Sequence, residues 1–228
     1  MKVIRFIPRV IAVAFMIGMI SSCGVSDSGS SSTGTEPIDG EPTSLGAVGN
    51  GFSTSVMGIT DMEMGVTQQN GDISTIRFEG RFIDDNLIPA AAGLLELAET
   101  NSDMSLDGNQ MSGTREFRIT TKGFQDVFPD GSCLTIINYD AKEGDTYRKK
   151  MSGGDLVRKV VKVSNDDDFP WGFMYIKTVK VEETGSRIPG VSKIVYYGNH
   201  KFGLVGMDII FEDGSERMLN VFSDNYNE

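Results

Sequence analysis

The chain has 228 residues, with 21 Lys+Arg against 32 Asp+Glu and a formal charge of −11 at pH 7. An acidic chain without a basic footprint argues against nucleic acid or anionic headgroups as partners. A zinc site usually draws on several His or Cys ligands, and two cysteines with one histidine do not supply them.

Lys2, Arg5 and Arg9 form a basic leader, and the apolar run from Val10 to Ile20 follows. A bilayer span needs roughly 20 apolar residues, whereas a run of about 10 to 14 suits the h-region of an export signal. The run ends in Ile20-Ser21-Ser22-Cys23. This motif resembles the lipobox of bacterial lipoproteins: an aliphatic residue, two small residues, then Cys. The resemblance implies a signal peptide over residues 1–22, acylation of Cys23 with palmitate-type chains, and a place in the cell envelope, anchored through lipid. Gly24 after the Cys resembles the sorting pattern for an outer membrane. The motif covers the leader alone, and the globular domain resembles no family through any specific motif.

Once Lys2, Arg5 and Arg9 are removed, 18 basic residues face 32 acidic ones, a mature charge of −14. With Cys23 acylated, Cys133 has no partner for a disulfide, and at the head of an apolar strand it reads as a small buried hydrophobe. Residues 23–49 are rich in Ser, Gly, Thr, Pro and acids. They are expected to form a flexible tether with a reach of roughly 25 to 30 Å. Gly46, Gly49 and Gly51 are not preceded by a strand or followed by a helix, so they do not make a phosphate loop. Residues 50–228 are expected to form a single β-rich domain, long enough for a sizeable core.

From Phe52 to Val66 the even positions are mostly apolar, and the parity returns in Ile76, Phe78, Gly80 and Phe82 against Arg77, Glu79 and Arg81. Period two predicts strands. A three-residue loop Gln69-Asn70-Gly71 would pair Met64 with Ile76 and keep the apolar faces together. Pro89 to Glu99 reads as a helix, with Pro89 in its first turn and Leu94, Leu95 and Leu97 on its apolar surface.

Asp103-Met104-Ser105-Leu106-Asp107-Gly108-Asn109 resembles the opening of a calcium loop, with oxygen side chains at positions one, three and five and Gly at six. Position twelve holds Thr114 instead of a bidentate Glu, with Glu116 the nearest substitute, so the polar-turn reading is preferred and no metal site is assigned. Asn165 to Asp168 is likewise read as a solvated turn. Met57, Met62 and Met64 have soft-ligand chemistry, but packing explains Met62 and Met64 better. His200, the sole histidine, falls in a turn, so no nucleophilic relay is assigned. Trp171, Phe173, Tyr175, Val179 and Val181 share one parity and read as a core stripe. A two-residue turn at Asp213-Gly214 would pair Ile209 with Met218 and Val205 with Phe222.

These elements predict a mostly β (α+β) domain: a single antiparallel meander sheet of nine to eleven strands, curved or half-barrel-like, with one helix after the second strand. The leading functional expectation is a lipid-anchored, non-catalytic binding or envelope-structural module without a cofactor. A half-barrel carrier of an apolar ligand or lipoprotein is the second, and an envelope hydrolase using Asp/Glu the third.

Overall fold

The structure is a computed structural model describing residues 33–54, 59–83, 103–151, 154–185, 188 and 190–227. Fifteen strands are described: β1 (Gly51–Thr54), β2 (Ile59–Asn70), β3 (Ile73–Phe82), β4 (Ser105–Asp107), β5 (Gln110–Thr120), β6 (Gly123–Val127), β7 (Cys133–Asn138), β8 (Thr146–Met151), β9 (Gly154–Val163), β10 (Phe169–Trp171), β11 (Met174–Ile176), β12 (Val179–Thr184), β13 (Val191–Asn199), β14 (Gly203–Phe211) and β15 (Glu216–Ser223). Thirteen of them form one antiparallel sheet, ordered β7-β6-β5-β3-β2-β1-β15-β14-β13-β12-β9-β8, with β4 added on β5. The short β1 joins the halves by pairing with both β2 and β15.

The sheet curls until β7 packs against β12 and β13, giving a nearly closed, barrel-like sheet. Gly198 on β13 lets the walls approach closely: a Cβ there would lie 2.5 Å from the Ile137 side chain of β7. The expected parity is observed in β3, which buries Ile76, Phe78 and Phe82 and turns Arg77 and Arg81 to solvent. Apolar side chains fill the interior and charged ones line the outer wall, the inverse of a membrane-spanning barrel. The helix expected at Pro89–Glu99 lies outside the described residues; the helical segment among those described is a single 3-10 turn, Ser44–Gly46.

Two hairpins depart from the expected register, and one of them still reaches the expected facing. Between β2 and β3 the loop is two residues, with Asn70 opposite Ile73, and a bulge between Val66 and Gln68 restores parity so that Met64 pairs with Phe78 and Val66 with Ile76. Between β14 and β15 the Phe211 amide bonds the Ser215 carbonyl across a three-residue loop with Gly214 at φ +81. Ile209 therefore pairs with Arg217 and Asp208 with Met218, which leaves Met218 exposed.

The largest departure concerns residues 33–42, expected within the tether. The Thr33 carbonyl accepts from the Arg148 amide of β8 at 2.8 Å, and the Gly34 carbonyl from the Thr135 amide of β7 at 2.8 Å. One short segment therefore bonds both open edges of the sheet. It continues along β6, where the Gln125 side chain bonds the Glu36 carbonyl and the Ile38 amide, and ends in a bridge between Pro42 and Thr120. Edge strands with free amides and carbonyls invite pairing with other chains, and this segment takes up one backbone amide on each. The domain therefore begins no later than Thr33, and Leu45 beyond it is part of the core.

Candidate functional site

Two groupings of side chains stand out from the ordinary core. The first is inside the barrel. Arg158 of β9 is 0 % exposed and shares its guanidinium between two carboxylates: Nε donates to Glu183 Oε2 at 2.7 Å and Nη2 to Asp126 Oδ2 at 2.5 Å. Its Nη1 donates to the Leu134 and Thr135 carbonyls of β7 at 3.1 and 3.3 Å. Tyr196 donates its hydroxyl to Glu183 Oε2 at 3.0 Å and lies under the guanidinium, and Arg115 approaches Asp126 Oδ1 at 3.4 Å.

Burial on its own would lower the Arg158 pKa; Asp126 and Glu183 outweigh it and raise it, so the cation is fixed. Burial lowers that of Arg115, with Asp126 opposing and Arg158 adding to the drop. Burial, then Glu183, pushes the Tyr196 hydroxyl well above its ordinary value. Two cations balance two anions, with Arg158 and Glu183 fully buried and Arg115 partly exposed. The arrangement ties β9 and β12 to β6 and to the backbone of the edge strand β7 across the barrel.

The second grouping is on the outer wall. Strands β10 and β11 form a hairpin separate from the main sheet, pairing Phe169 with Ile176, Pro170 with Tyr175 and Trp171 with Met174. The two-residue loop is Gly172-Phe173, with Gly172 at φ +58. The inner face packs Phe169, Trp171 and Ile176 over Val205. Trp171 packs tilted against Phe202 and stacks on Phe222, with centroids 4.4 and 5.0 Å away, and its Nε1 donates to the Val221 carbonyl at 2.8 Å. Phe169 lies 4.6 Å from Tyr197, whose hydroxyl donates to Asp208 Oδ2 at 2.8 Å. Burial is the main cause that raises the Asp208 pKa, with Tyr197 opposing and Glu216 adding.

The outer face is different. Pro170 and Tyr175 are exposed, and Phe173 at the tip is 96 % exposed. The expected core stripe is therefore corrected. Parity counted from Trp171 through Phe173 to Tyr175 runs across a chain reversal, so Trp171 faces the barrel while Phe173 and Tyr175 face water. Nearby, Tyr226 is also exposed, edge-on to Phe202, with the Lys201 ammonium over both rings.

The remaining candidates are scattered. Cys23 and Met57 lie outside the described residues. Cys133 is a free thiol, 1 % exposed. Met64 is buried in the core and Met62 packs against it. His200 is exposed at the β13–β14 turn, its carbonyl accepting from Asn227. The stretch resembling a calcium loop forms a hairpin, β4 pairing with β5 across a two-residue turn at Gly108-Asn109. Asp103 accepts from Thr114 at 3.2 Å, and Ser105 and Asp107 are spread along an extended strand instead of converging. In the Asn165–Asp168 turn, Asp168 accepts from Ser164 and pairs with Lys162. Among the described residues no three His, Cys, Asp or Glu side chains are grouped to hold a metal ion.

Sequence reasoning missed the Arg158 centre, and a basic residue flanked by Leu156 and Val160 on the apolar parity of β9 was the available signal. Comparisons with protein-family models, with curated proteins and with solved structures return no match to this chain.

Proposed function

We propose that the protein is a lipid-anchored cell-envelope module, acylated at Cys23 and displayed at an outer membrane, that acts by binding or by a structural role and not by catalysis. The observation that carries this reading is the Ile20-Ser21-Ser22-Cys23 motif, followed after only nine residues by a chain segment already committed to the barrel. The spacer is short enough to keep the domain beside the bilayer, because nine residues extend at most about 33 Å. The inward-facing carboxylates are engaged by Arg158, and the free polar surface is ordinary solvated strand, which supports binding over chemistry.

Cell fractionation tests the anchor. The unaltered chain should partition with membranes and Cys23→Ala should appear in the soluble fraction; a Cys23→Ala chain that stays with the membrane defeats the assignment. No cofactor is assigned to the Asp103–Asn109 hairpin. Thermal melts with and without chelator should superimpose, and a lower Tm in chelator would place a cation in the fold.

The carrier reading, in which the expected Pro89–Glu99 helix and the Trp171 stripe line the cavity of a half-barrel, has one favourable observation. A small apolar pocket opens beside Phe202, lined by Leu45, Phe52, Phe124 and Val221. Against it, the interior is occupied by the protein's own side chains, among them Phe82, Phe128, Met111 and Met207.

A further inference from the structure

We propose that the β10–β11 hairpin is a second membrane contact, with Phe173 inserting into the lipid interface of the bilayer that holds the anchor. This rests on the reading that Cys23 carries the lipid. From Phe169 to Ile176 the chain reads FPWGFMYI, eight consecutive residues without a charge in a chain that is 23 % charged. The tip is rigid and not a loose loop: Trp171, two residues before Phe173, is clamped between Phe202 and Phe222 and hydrogen-bonded to β15. Phe173 takes no part in that packing. A large apolar ring held out to water on a fixed support is what an interfacial wedge requires.

Tyr175 next to the tip and Tyr226 edge-on to Phe202 are exposed, and such amphipathic rings suit the headgroup level. Lys177 at the end of the hairpin and Lys201 beside Tyr226 have exposed, flexible stems that can place their ammonium groups among phosphates. Asp166, Asp167 and Asp168 lie at the base of the hairpin, all exposed, and would stop insertion at the tip. A lipid surface is favoured over a protein partner because the apex offers no hydrogen-bonding side chain. The nine-residue spacer also holds the barrel against that surface at high effective concentration. The overall acidity works against adsorption by charge, so the contact is apolar.

The test uses the mature chain from Cys23 with its thiol coupled to a maleimide phospholipid in phosphatidylcholine vesicles. Cys133 is buried and does not compete. Supplying the anchor chemically separates this result from the acylation question, which the fractionation experiment answers. Trp171 is the sole tryptophan and reports on the hairpin. With brominated phosphatidylcholine its emission should be quenched, in high salt as well as low, and Phe173→Asp should abolish the quenching without moving the melting temperature. Equal quenching in the two chains would overturn the assignment of Phe173. No quenching in the unaltered chain would overturn the membrane contact and leave the tip to a protein partner.

Discussion

Replacing Arg158 with Met should cost about 3–5 kcal/mol of folding stability, the penalty typical of leaving buried charges without their partner. Urea unfolding reads it as a lower midpoint at an unchanged slope. Four groups lose their donor together: Asp126, Glu183 and the carbonyls of Leu134 and Thr135. Arg115 still faces Asp126, but among the described residues Glu183 keeps only the Tyr196 hydroxyl. Met fills most of the vacated volume, so the effect is electrostatic and not a cavity. The triple variant Arg158→Met, Asp126→Asn, Glu183→Gln should therefore recover part of the loss by removing the uncompensated anions. A single variant that unfolds within about 1 kcal/mol of the unaltered chain, the scale of one exposed ion pair, would show that the centre does not hold the barrel closed.

The strands were legible because half-buried antiparallel strands alternate strictly, and Ile76, Phe78 and Phe82 against Arg77 and Arg81 leave little choice of period. Register was less legible. At Asn70-Gly71 the requirement for aligned apolar faces was read correctly, but a bulge at Thr67 satisfied it where an odd loop had been expected. A bulge has no composition of its own, so only the pairing reveals it. At Asp213-Gly214 the reverse happened: the left-handed Gly214 closes a three-residue loop, and every pair in β14–β15 moves by one.

The unusual side chains were hidden by distance and by reversal. Arg158 meets Asp126 and Glu183 across 32 and 25 positions of sequence. In LVRKVVK it reads as one more basic residue among Lys159 and Lys162. Phe173 was hidden by a turn with no Asn, Asp or Pro at its centre: Gly172-Phe173 sits inside an apolar run, so the alternation was counted straight through it. The exposed aromatic tip could be found only once the hairpin was in view.

A chain shortened to begin at Thr43 should be less stable than one beginning at Thr33 by about 4–7 kcal/mol, counting about 0.5–1 kcal/mol for each net hydrogen bond lost, and should self-associate. The segment removed supplies partners to the Arg148 and Thr135 amides, the Thr135 hydroxyl, both ends of the Gln125 amide, and the hydroxyls of Thr120 and Thr121. Gln125 and Thr135 are buried, so their freed groups cannot all turn to water, and β7 and β8 become open edges on one seam. A chain beginning at Thr33 keeps every one of these bonds, so it should match the one beginning at Cys23 in urea midpoint and in monomeric elution. That contrast separates two meanings of a Ser/Gly/Thr/Pro-rich segment. Its composition gives too little apolar surface to fold by itself, yet its backbone amides and carbonyls can complete a sheet that already exists. If the chain from Thr43 stayed monomeric and equally stable, the tether would extend to Gly49 as its composition alone suggests, and the seam would be held by Arg158 without help.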